Sequence, residues 1–211
     1  MMEITKFAVA EQGTEEWLVE RIPYVTASDV AKVMAGGSGA SRRNYLTRKL
    51  CECLSGQPTK TYKSAKMQDG NDREATARGI YEKIKNCTVK QLPFAYLESE
   101  QIGASTDGEV DGDGIIEIKN VMSSEQVDLL STGKIKSTYL KQMNTQMYVL
   151  KKKWCDFVSV ALGDEESGEL PDRLKVKIIR VYRDEELILK IRKEVAFFHH
   201  DLQELIKKFG D

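Results

Sequence analysis

Residues 105–119 read S-T-D-G-E-V-D-G-D-G-I-I-E-I-K, and the last five alternate as the side chains of a half-buried strand do. Side chains two apart on a strand share a face, so Ile115, Glu117 and Lys119 project to one side. Ile116 and Ile118 project to the other. A carboxylate and an ammonium group therefore lie next to each other, with an isoleucine face opposite them that suits a core.

A second carboxylate, that of Asp107, precedes this strand across D-G-E-V-D-G-D-G, a stretch typical of a hairpin connection. If residues 103–107 form the neighbouring strand, Asp107 lies beside Glu117. Two carboxylates that close together repel each other, and a divalent cation relieves the repulsion. The pattern predicts a metal-dependent phosphodiesterase site, which needs carboxylates and a cation near the attacking water. A surface hairpin with a Glu–Lys pair is the alternative interpretation.

Composition is that of one soluble domain spanning residues 1–211, with 41% hydrophobic and 31% charged residues. No apolar run approaches the ~18–20 residues of a transmembrane helix, and the N-terminus does not resemble a signal peptide. The scattered cysteines fit neither a zinc site nor a disulfide framework, which favours reduced thiols in a cytosolic protein. They are Cys51, Cys53, Cys87 and Cys155.

With a net charge of −1, the chain lacks the overall basic character of many DNA-binding domains. Local patches of lysine could suffice to bind DNA. Each patch is also what a solvated helix end looks like. The patches are Lys60, Lys63 and Lys66; Lys134, Lys136 and Lys141; and Lys151 to Lys153.

Periodicity predicts helices near 14–20, 42–54, 64–85, 123–131 and 137–150, and a long amphipathic helix from about 187 to 209. Thr14 is the expected N-cap of the first helix. Thr26-x-x-Asp29 resembles a capping box that opens a helix extending to about Ala35. Strands are expected near 88–97, 102–107, 114–120, 155–162 and 174–182.

Glu74 lies on one face of the helix predicted near 64–85, together with Met67, Tyr81 and Ala77. A carboxylate on an inward face needs a partner, because burial of an unpaired charge is costly. Either a structural ion pair or a metal site could supply that partner.

The order Glu74, Asp107, Glu117-x-Lys119, Gln142 resembles that of the lambda exonuclease (YqaJ-like) viral recombinases, within the PD-(D/E)xK nuclease superfamily. The "PD" of the signature is here Thr106-Asp107, and the missing proline carries no chemistry. Further matching stretches extend the resemblance over nearly the whole chain. They are W-L-V-E-R at 17–21, V-T-A-S at 25–28, D-G-N-D-R-E at 69–74 and K-S-T-Y-L-K-Q-M at 136–143.

The resemblance implies an α/β, restriction-endonuclease-like three-layer fold, with a central mixed β-sheet flanked by helices. It also implies 5′→3′ digestion of linear double-stranded DNA, which releases mononucleotides and leaves a 3′ single strand. Family members work as homotrimer rings beside a single-strand annealing protein. These features predict a phage or prophage protein in the cytoplasm of a bacterial host.

The site roles follow from the same resemblance. Two Mg²⁺ ions, for which Mn²⁺ should substitute, would be bound by Asp107, Glu117, the carbonyl of Ile118, and Glu74. Lys119 would orient or deprotonate the attacking water, and Gln142 would help to position water or phosphate. Gln146 is interpreted as a supporting or solvent residue.

Three further positions match the family's pocket for the terminal 5′-phosphate: Arg21, Ser28 and Ser105. Ser28 lies where V-T-A-S is predicted to open a helix, and a helix N-terminus attracts anions. Arg21 adds a fork of donors that matches phosphate oxygens. A helix-end surface charge and a simple cap are the alternative interpretations of Arg21 and Ser28.

Three other functions stay open. A structure-specific or site-specific endonuclease would use the same catalytic face, and a non-catalytic DNA-binding protein would not need Asp107, Glu117 and Lys119 together. The acidic run at 107–114 could suggest a Ca²⁺ module, but it lacks the twelve-residue pattern of an EF-hand. A serine hydrolase is disfavoured because Ser28 and Ser105 have no histidine base at useful spacing, and His199 and His200 receive no catalytic role.

Overall fold

The computed structural model describes residues 3–35, 40–59, 65–163 and 169–209, and for residues 65–72 only the backbone. The strands are β1 (Lys6–Phe7), β2 (Val25–Thr26), β3 (Ala95–Leu97), β4 (Ile102–Ala104), β5 (Gly108–Val110), β6 (Gly114–Asn120), β7 (Trp154–Val160) and β8 (Val176–Tyr182). The helices are α1 (Glu15–Glu20), α2 (Val30–Val33), α3 (Ala40–Ser55), α4 (Ala65–Lys85), α5 (Ser123–Thr132), α6 (Ser137–Leu150), α7 (Asp172–Lys175) and α8 (Glu185–Phe209).

The strands form two mixed four-stranded sheets, in the orders β1-β3-β4-β2 and β5-β6-β7-β8. In the second sheet β6 runs parallel to β7 and antiparallel to β5, while β8 pairs antiparallel with β7. Helices flank the sheets, so the predicted class of a mixed α/β fold is confirmed. The single central sheet of the prediction is divided into two hydrogen-bonded units.

Both faces of β6 are buried, whereas the sequence pattern predicted a half-buried strand. Ile116 and Ile118 pack with Val158 of β7 against Ala77 and Tyr81 of α4. Ile115, on the opposite face, joins the larger core that α2, α3, α6 and α8 build with the first sheet. Glu117 shares this second face and is only 2% exposed, so a carboxylate is enclosed beneath α6.

The helix α4 is fixed to the sheet by a buried polar contact. The hydroxyl of Tyr81 donates a 2.9 Å hydrogen bond to Asp156 on β7, and Arg180 on β8 donates two hydrogen bonds to the same carboxylate. This bidentate pair satisfies a carboxylate that is fully buried. It sets the rotation of α4, and therefore the side of the helix on which Glu74 projects.

The amphipathic stripe of α8 also matches its prediction. Its residues Ile191, Val195, Phe198 and Leu202 are buried, whereas the terminal Phe209 is exposed. Thr14 caps α1 by accepting a hydrogen bond from the backbone N–H of Trp17, as expected.

Three local predictions were wrong. Residues 88–97 form only the short β3, with an isolated bridge at Lys90, and β5 occupies residues that were expected to be a hairpin connection. The capping box at Thr26 does not form. Asp29 instead pairs with Lys32 and Arg48, and the helix that follows is only Val30–Val33.

Candidate active site

Asp107 directly precedes β5, at the point where that strand meets β6. Gly108 is paired with Ile116, so Asp107 lies opposite Glu117, as predicted. The strand that makes this pairing, β5, begins one residue after Asp107. The neighbouring strand is therefore β5 rather than the predicted 103–107, because residues 102–104 belong to the other sheet.

Three local features hold Asp107 in this place. Thr106 donates a 2.9 Å hydrogen bond to the carbonyl of Ile116 and ties the start of β5 to β6. A Cβ at Gly108 would lie 2.0 Å from Cγ1 of Val89, so only glycine fits next to Asp107. The Asp107 carboxylate in turn accepts a 2.6 Å hydrogen bond from the backbone N–H of Ile118.

One pocket of about 220 Å³ gathers the predicted site residues. Its lining includes the five predicted catalytic residues, the three predicted phosphate-binding residues and Ile118. They are Arg21, Ser28, Glu74, Ser105, Asp107, Glu117, Ile118, Lys119 and Gln142. Residues far apart in the sequence therefore share one cavity.

Both oxygens of the Glu117 carboxylate are held by neighbouring side chains. Lys119 Nζ lies 2.5 Å from Oε1, and Gln142 donates a 2.7 Å hydrogen bond to the same oxygen. Gln146 donates to Oε2 at 2.5 Å and to the carbonyl of Ser105 at 2.8 Å. Gln146 is fully buried, so the supporting interpretation fits and the solvent interpretation was wrong.

Three carboxylates, those of Glu74, Asp107 and Glu117, line the pocket together. Burial, with the adjacent carboxylates of Glu117 and Glu74, raises the pKa of Asp107 well above its ordinary value. Burial also raises the pKa of Glu74, and the proximity of Glu117 adds to this, while Arg78 opposes it. Such a cluster is favourable for a cation.

The same carboxylates favour the charged form of Lys119. Burial lowers the pKa of its ammonium group, but Glu117 and Asp107 outweigh this, and the pKa rises above its ordinary value. Lys119 is therefore charged at neutral pH. Its Nζ also lies 5.2 Å from the centre of the Tyr139 ring, which helps to fix its position.

Arg78 is a site neighbour that the sequence analysis missed. It lies one turn after Glu74 on α4, forms a 2.5 Å ion pair with it, and donates from Nε to the carbonyl of Asp107 at 3.0 Å. The signal was present as an acid and a base four residues apart, but such pairs are common on solvated helices. Ala77 and Tyr81, which were predicted to share the inward face of α4 with Glu74, are buried. The side chain of Met67 lies outside the described part of the protein.

Two of the three predicted phosphate-binding residues, Arg21 and Ser105, line the pocket with unpaired donors. The guanidinium of Arg21 stacks 3.9 Å above the ring of Trp17, and its buried Nε lacks a hydrogen-bond partner within the described chain. The buried hydroxyl of Ser105 lacks one too. Buried donors without partners are rare in folded proteins, and an anion would satisfy both. Ser28 precedes a helical turn of four residues, so the predicted anion-binding helix N-terminus is reduced to that turn.

The basic patches contribute less free charge than their sequence suggests. Lys136 is paired with Glu125, Lys152 with Glu109, and Lys153 with Asp113. Lys60, Lys63 and the side chain of Lys66 lie outside the described part of the protein. His199 is buried near Gln101, away from the pocket.

The described residues also bear on the predictions about cysteine pairing and membrane-spanning helices. All four cysteines are unpaired. No helix of the described chain has the length and apolarity needed to span a bilayer.

The arrangement of the acidic groups differs from that of a closed metal site. Among the described residues, no three His, Cys, Asp or Glu side chains are arranged to hold an ion by themselves. Mg²⁺ is commonly bound by one or two carboxylates, with water and substrate oxygens completing its shell. Asp107, Glu117 and the carbonyl of Ile118 fit that open arrangement.

Solved structures of nucleases share this fold. The alkaline exonuclease LHK-Exo from Laribacter hongkongensis, in a crystal structure with dAMP, is 37% identical with a TM-score of 0.82, over 92% of this chain and 95% of that chain. A second LHK-Exo structure is 36% identical with a TM-score of 0.81, over 93% and 96%. A phage related exonuclease from Haemophilus somnus 129PT is 18% identical with a TM-score of 0.67, over 88% and 96%, which shows likeness of fold alone.

The fold is therefore the restriction-endonuclease-like fold of exonucleases. Residues 16–153 match the YqaJ-like viral recombinase domain, and the chain belongs to that family. We found no match among curated proteins. The family and the similar structures identify the protein as a nuclease, as predicted.

Proposed function

We propose that this protein is a Mg²⁺-dependent 5′→3′ exonuclease that digests one strand of linear double-stranded DNA. It releases mononucleotides and leaves a 3′ single strand for recombination by strand annealing. The observation that carries the proposal is the single pocket in which Asp107, Glu117 and Lys119 lie beside Arg21 and Ser105. The dAMP in the LHK-Exo structure belongs to the same chemical class as the proposed product.

The oxygen-only donor set supports Mg²⁺ as the cofactor, with Mn²⁺ as a substitute. Asp107, Glu117 and the carbonyl of Ile118 would hold one ion, and Glu74 a second, directly or through water. When bound, Mg²⁺ would act as a Lewis acid that makes a water molecule more acidic and offsets the negative charge of the phosphate. Burial, and then the nearby carboxylates of Glu117 and Glu74, raise the pKa of Asp107, and a bound cation would favour its ionised form.

Three side chains of the site would position the attacking water, stabilise negative charge and orient the Glu117 carboxylate. Lys119 orients the attacking water and places a positive charge where negative charge develops on the phosphoryl oxygens. Its raised pKa favours this electrostatic role over proton abstraction. Gln142 and Gln146 hold the Glu117 carboxylate in one orientation, so that little reorganisation is needed during the reaction.

The proposal is tested with end-labelled linear duplex, covalently closed circular duplex and single-stranded DNA, each with Mg²⁺ or with a chelator. We expect digestion of the linear duplex alone, and only with the metal. Cleavage of the closed circle would instead establish an endonuclease on the same catalytic face. Retention of DNA without cleavage of any substrate would indicate a non-catalytic binding protein.

Glu74 gives a prediction that separates a metal-site role from a structural one. Glu74→Gln keeps the shape but removes the charge, so Mg²⁺-dependent turnover should fall by roughly tenfold to a hundredfold, and Mn²⁺ should restore part of it. Turnover with Mg²⁺ is measured for the wild type and for Glu74→Gln, and their melting temperatures are compared as a control for folding. Undiminished activity would make Glu74 only the ion-pair partner of Arg78.

Arg21 gives a second prediction, on recognition of the DNA end. A charge-assisted hydrogen bond contributes roughly 1.5–3 kcal/mol, or about tenfold to a hundredfold in affinity. Arg21→Ala should therefore slow digestion of 5′-phosphorylated ends by that factor, and of 5′-hydroxyl ends far less. Rates on the two ends are compared under the same Mg²⁺ concentration. An equal loss on both ends would remove Arg21 from phosphate recognition and leave the nuclease proposal intact.

The proposal extends to the assembly and setting of the enzyme. We propose that the enzyme forms a homotrimeric ring around the duplex and acts with a single-strand annealing partner in the cytoplasm of a bacterial host. Membership of the YqaJ-like family supports this proposal. Light scattering checks the ring, since a trimer has three times the 23.9 kDa mass of the chain.

A further inference from the structure

We infer that Arg48 and Lys49, on the inner face of α3, are positioning residues that set the placement of Arg21 and Ser28. They thereby determine the preference for a 5′-phosphorylated DNA end. The inference rests on the proposed function, because that proposal gives Arg21 and Ser28 the phosphate-binding role.

Lys49 holds the end of α1 from which Arg21 projects. Its side chain is buried, and its ammonium group donates hydrogen bonds to the carbonyl of Ile22 and, at 3.4 Å, to that of Arg21. The carbonyl of Arg21 also accepts a 3.1 Å hydrogen bond from the backbone N–H of Tyr24, and a cation here complements the negative end of the α1 dipole. Lys49 therefore fixes the backbone of Arg21.

Arg48 acts on the second phosphate-binding element. It donates a 2.8 Å hydrogen bond to Asp29, which also accepts one from the hydroxyl of Thr26 at 3.2 Å. The Thr26 hydroxyl lies 3.2 Å from that of Ser28. A chain of polar contacts thus runs from α3 to the Ser28 hydroxyl.

Glu52 connects Lys49 with Arg48. Its carboxylate lies 3.3 Å from Nζ of Lys49 and 4.0 Å from Nε of Arg48. These groups line a cavity of about 150 Å³ that shares Arg21 and Thr26 with the catalytic pocket. The network therefore lies directly behind the proposed phosphate site.

The packing of Arg21 explains why its backbone needs such support. Its guanidinium stacks on Trp17 and lies 5.5 Å from the Phe94 ring centre, and its side chain forms no hydrogen bond with any described residue. Stacking limits the plane of the group but allows it to slide. The backbone position that Lys49 fixes therefore decides where the donors point.

Burial of the Lys49 ammonium group costs free energy, which suggests that its charge has a role that an apolar side chain could not fill. Burial lowers the pKa of Lys49, and Glu52 opposes this shift. Hydrophobic replacement of buried ion pairs is often neutral or stabilising, so stability alone does not require this lysine. Its hydrogen bonds to the carbonyls of Arg21 and Ile22 tie this segment to α3, which an apolar side chain could not do.

The test is the ratio of kcat/KM on 5′-phosphorylated ends to kcat/KM on 5′-hydroxyl ends of one linear duplex. Lys49→Met and Arg48→Met should each lower this ratio by about tenfold, since small misplacements of binding groups have large effects on rate. Arg48→Lys, which retains a charge for Asp29, should recover part of the ratio. Arg42→Met is the matched control, because Arg42 is also on α3 and forms a 2.8 Å ion pair, with Asp201 on α8.

A double-mutant cycle makes the test specific. If Lys49 acts through Arg21, Lys49→Met should have no further effect on the ratio once Arg21→Ala is present. A lowered melting temperature with an unchanged ratio in both Lys49→Met and Arg48→Met would overturn the inference and leave these residues structural. If the ratio is close to one in the wild type, or Arg21→Ala does not alter it, the proposed phosphate site fails instead.

Discussion

Replacement of Asp107 with asparagine is expected to lower DNA hydrolysis roughly a hundredfold to a thousandfold and, without divalent metal, to raise the melting temperature. The loss of activity follows because the charge that would hold the cation and stabilise the transition state is removed. Asparagine preserves the side-chain volume and can still accept the hydrogen bond from Ile118. The fold should therefore be retained.

The gain in stability follows from the raised pKa of Asp107. A carboxyl group whose pKa is higher in the folded protein than in the unfolded chain stabilises the fold while it is protonated. That contribution is lost as pH rises from the ordinary value through the folded value. At a pH above this window the ionised group destabilises the metal-free protein, and asparagine removes this cost.

Thermal unfolding in a chelator and in Mg²⁺ checks both parts of the prediction. Mg²⁺ should raise the melting temperature of the wild type more than that of Asp107→Asn, because ligands stabilise the state that binds them. Asp113→Asn, in the same hairpin but exposed, is the control and should change neither property appreciably. Near-normal hydrolysis by Asp107→Asn would contradict the assignment.

Lys119→Ala is expected to lower kcat by roughly a hundredfold to a thousandfold, with a much smaller effect on DNA affinity. The ammonium group is within 2.5 Å of Glu117 and faces the pocket, where it would stabilise charge that develops during the reaction. Interactions made only in the transition state appear in kcat rather than in KM.

Lys136→Ala provides a matched comparison for this prediction. Its ammonium group lies 5.8 Å from the centre of the same Tyr139 ring, but it is paired with Glu125 and does not line the catalytic pocket. Its loss should affect KM rather than kcat. Wild-type turnover by Lys119→Ala at neutral pH would exclude the proposed role of Lys119.

Much of the site could be predicted because period-two alternation is a strong local signal. The alternation of residues 115–119 placed Glu117 and Lys119 on one face of a strand, and β6 has that arrangement. The opposition of Asp107 and Glu117 was also predicted, although the neighbouring strand was taken from the wrong residues. Strand boundaries depend on pairing with distant segments, which a local pattern does not contain.

The rest of the site depends on contacts between segments far apart in sequence. Arg78 and Lys49 look like ordinary solvated helix residues until α4 and α3 are packed against the sheets and α1. The burial of Gln146 likewise follows from the rotation of α6 over Glu117, which a helical pattern of mixed polarity does not specify. Thr26-x-x-Asp29 was interpreted as a capping box because Arg48, the partner of Asp29, lies nineteen residues away in the sequence.

In the proposed reaction, one pocket hydrolyses the 5′ strand of a duplex from its end. The most direct test of this proposal is a linear duplex with one label on the 5′-phosphate and another on the 3′ end of the same strand. With Mg²⁺, we expect the 5′ label to appear first as a mononucleotide, and a chelator or Asp107→Asn to prevent its release. Prior loss of the 3′ label, labelled fragments of internal length, or undiminished digestion by Asp107→Asn would contradict the proposal.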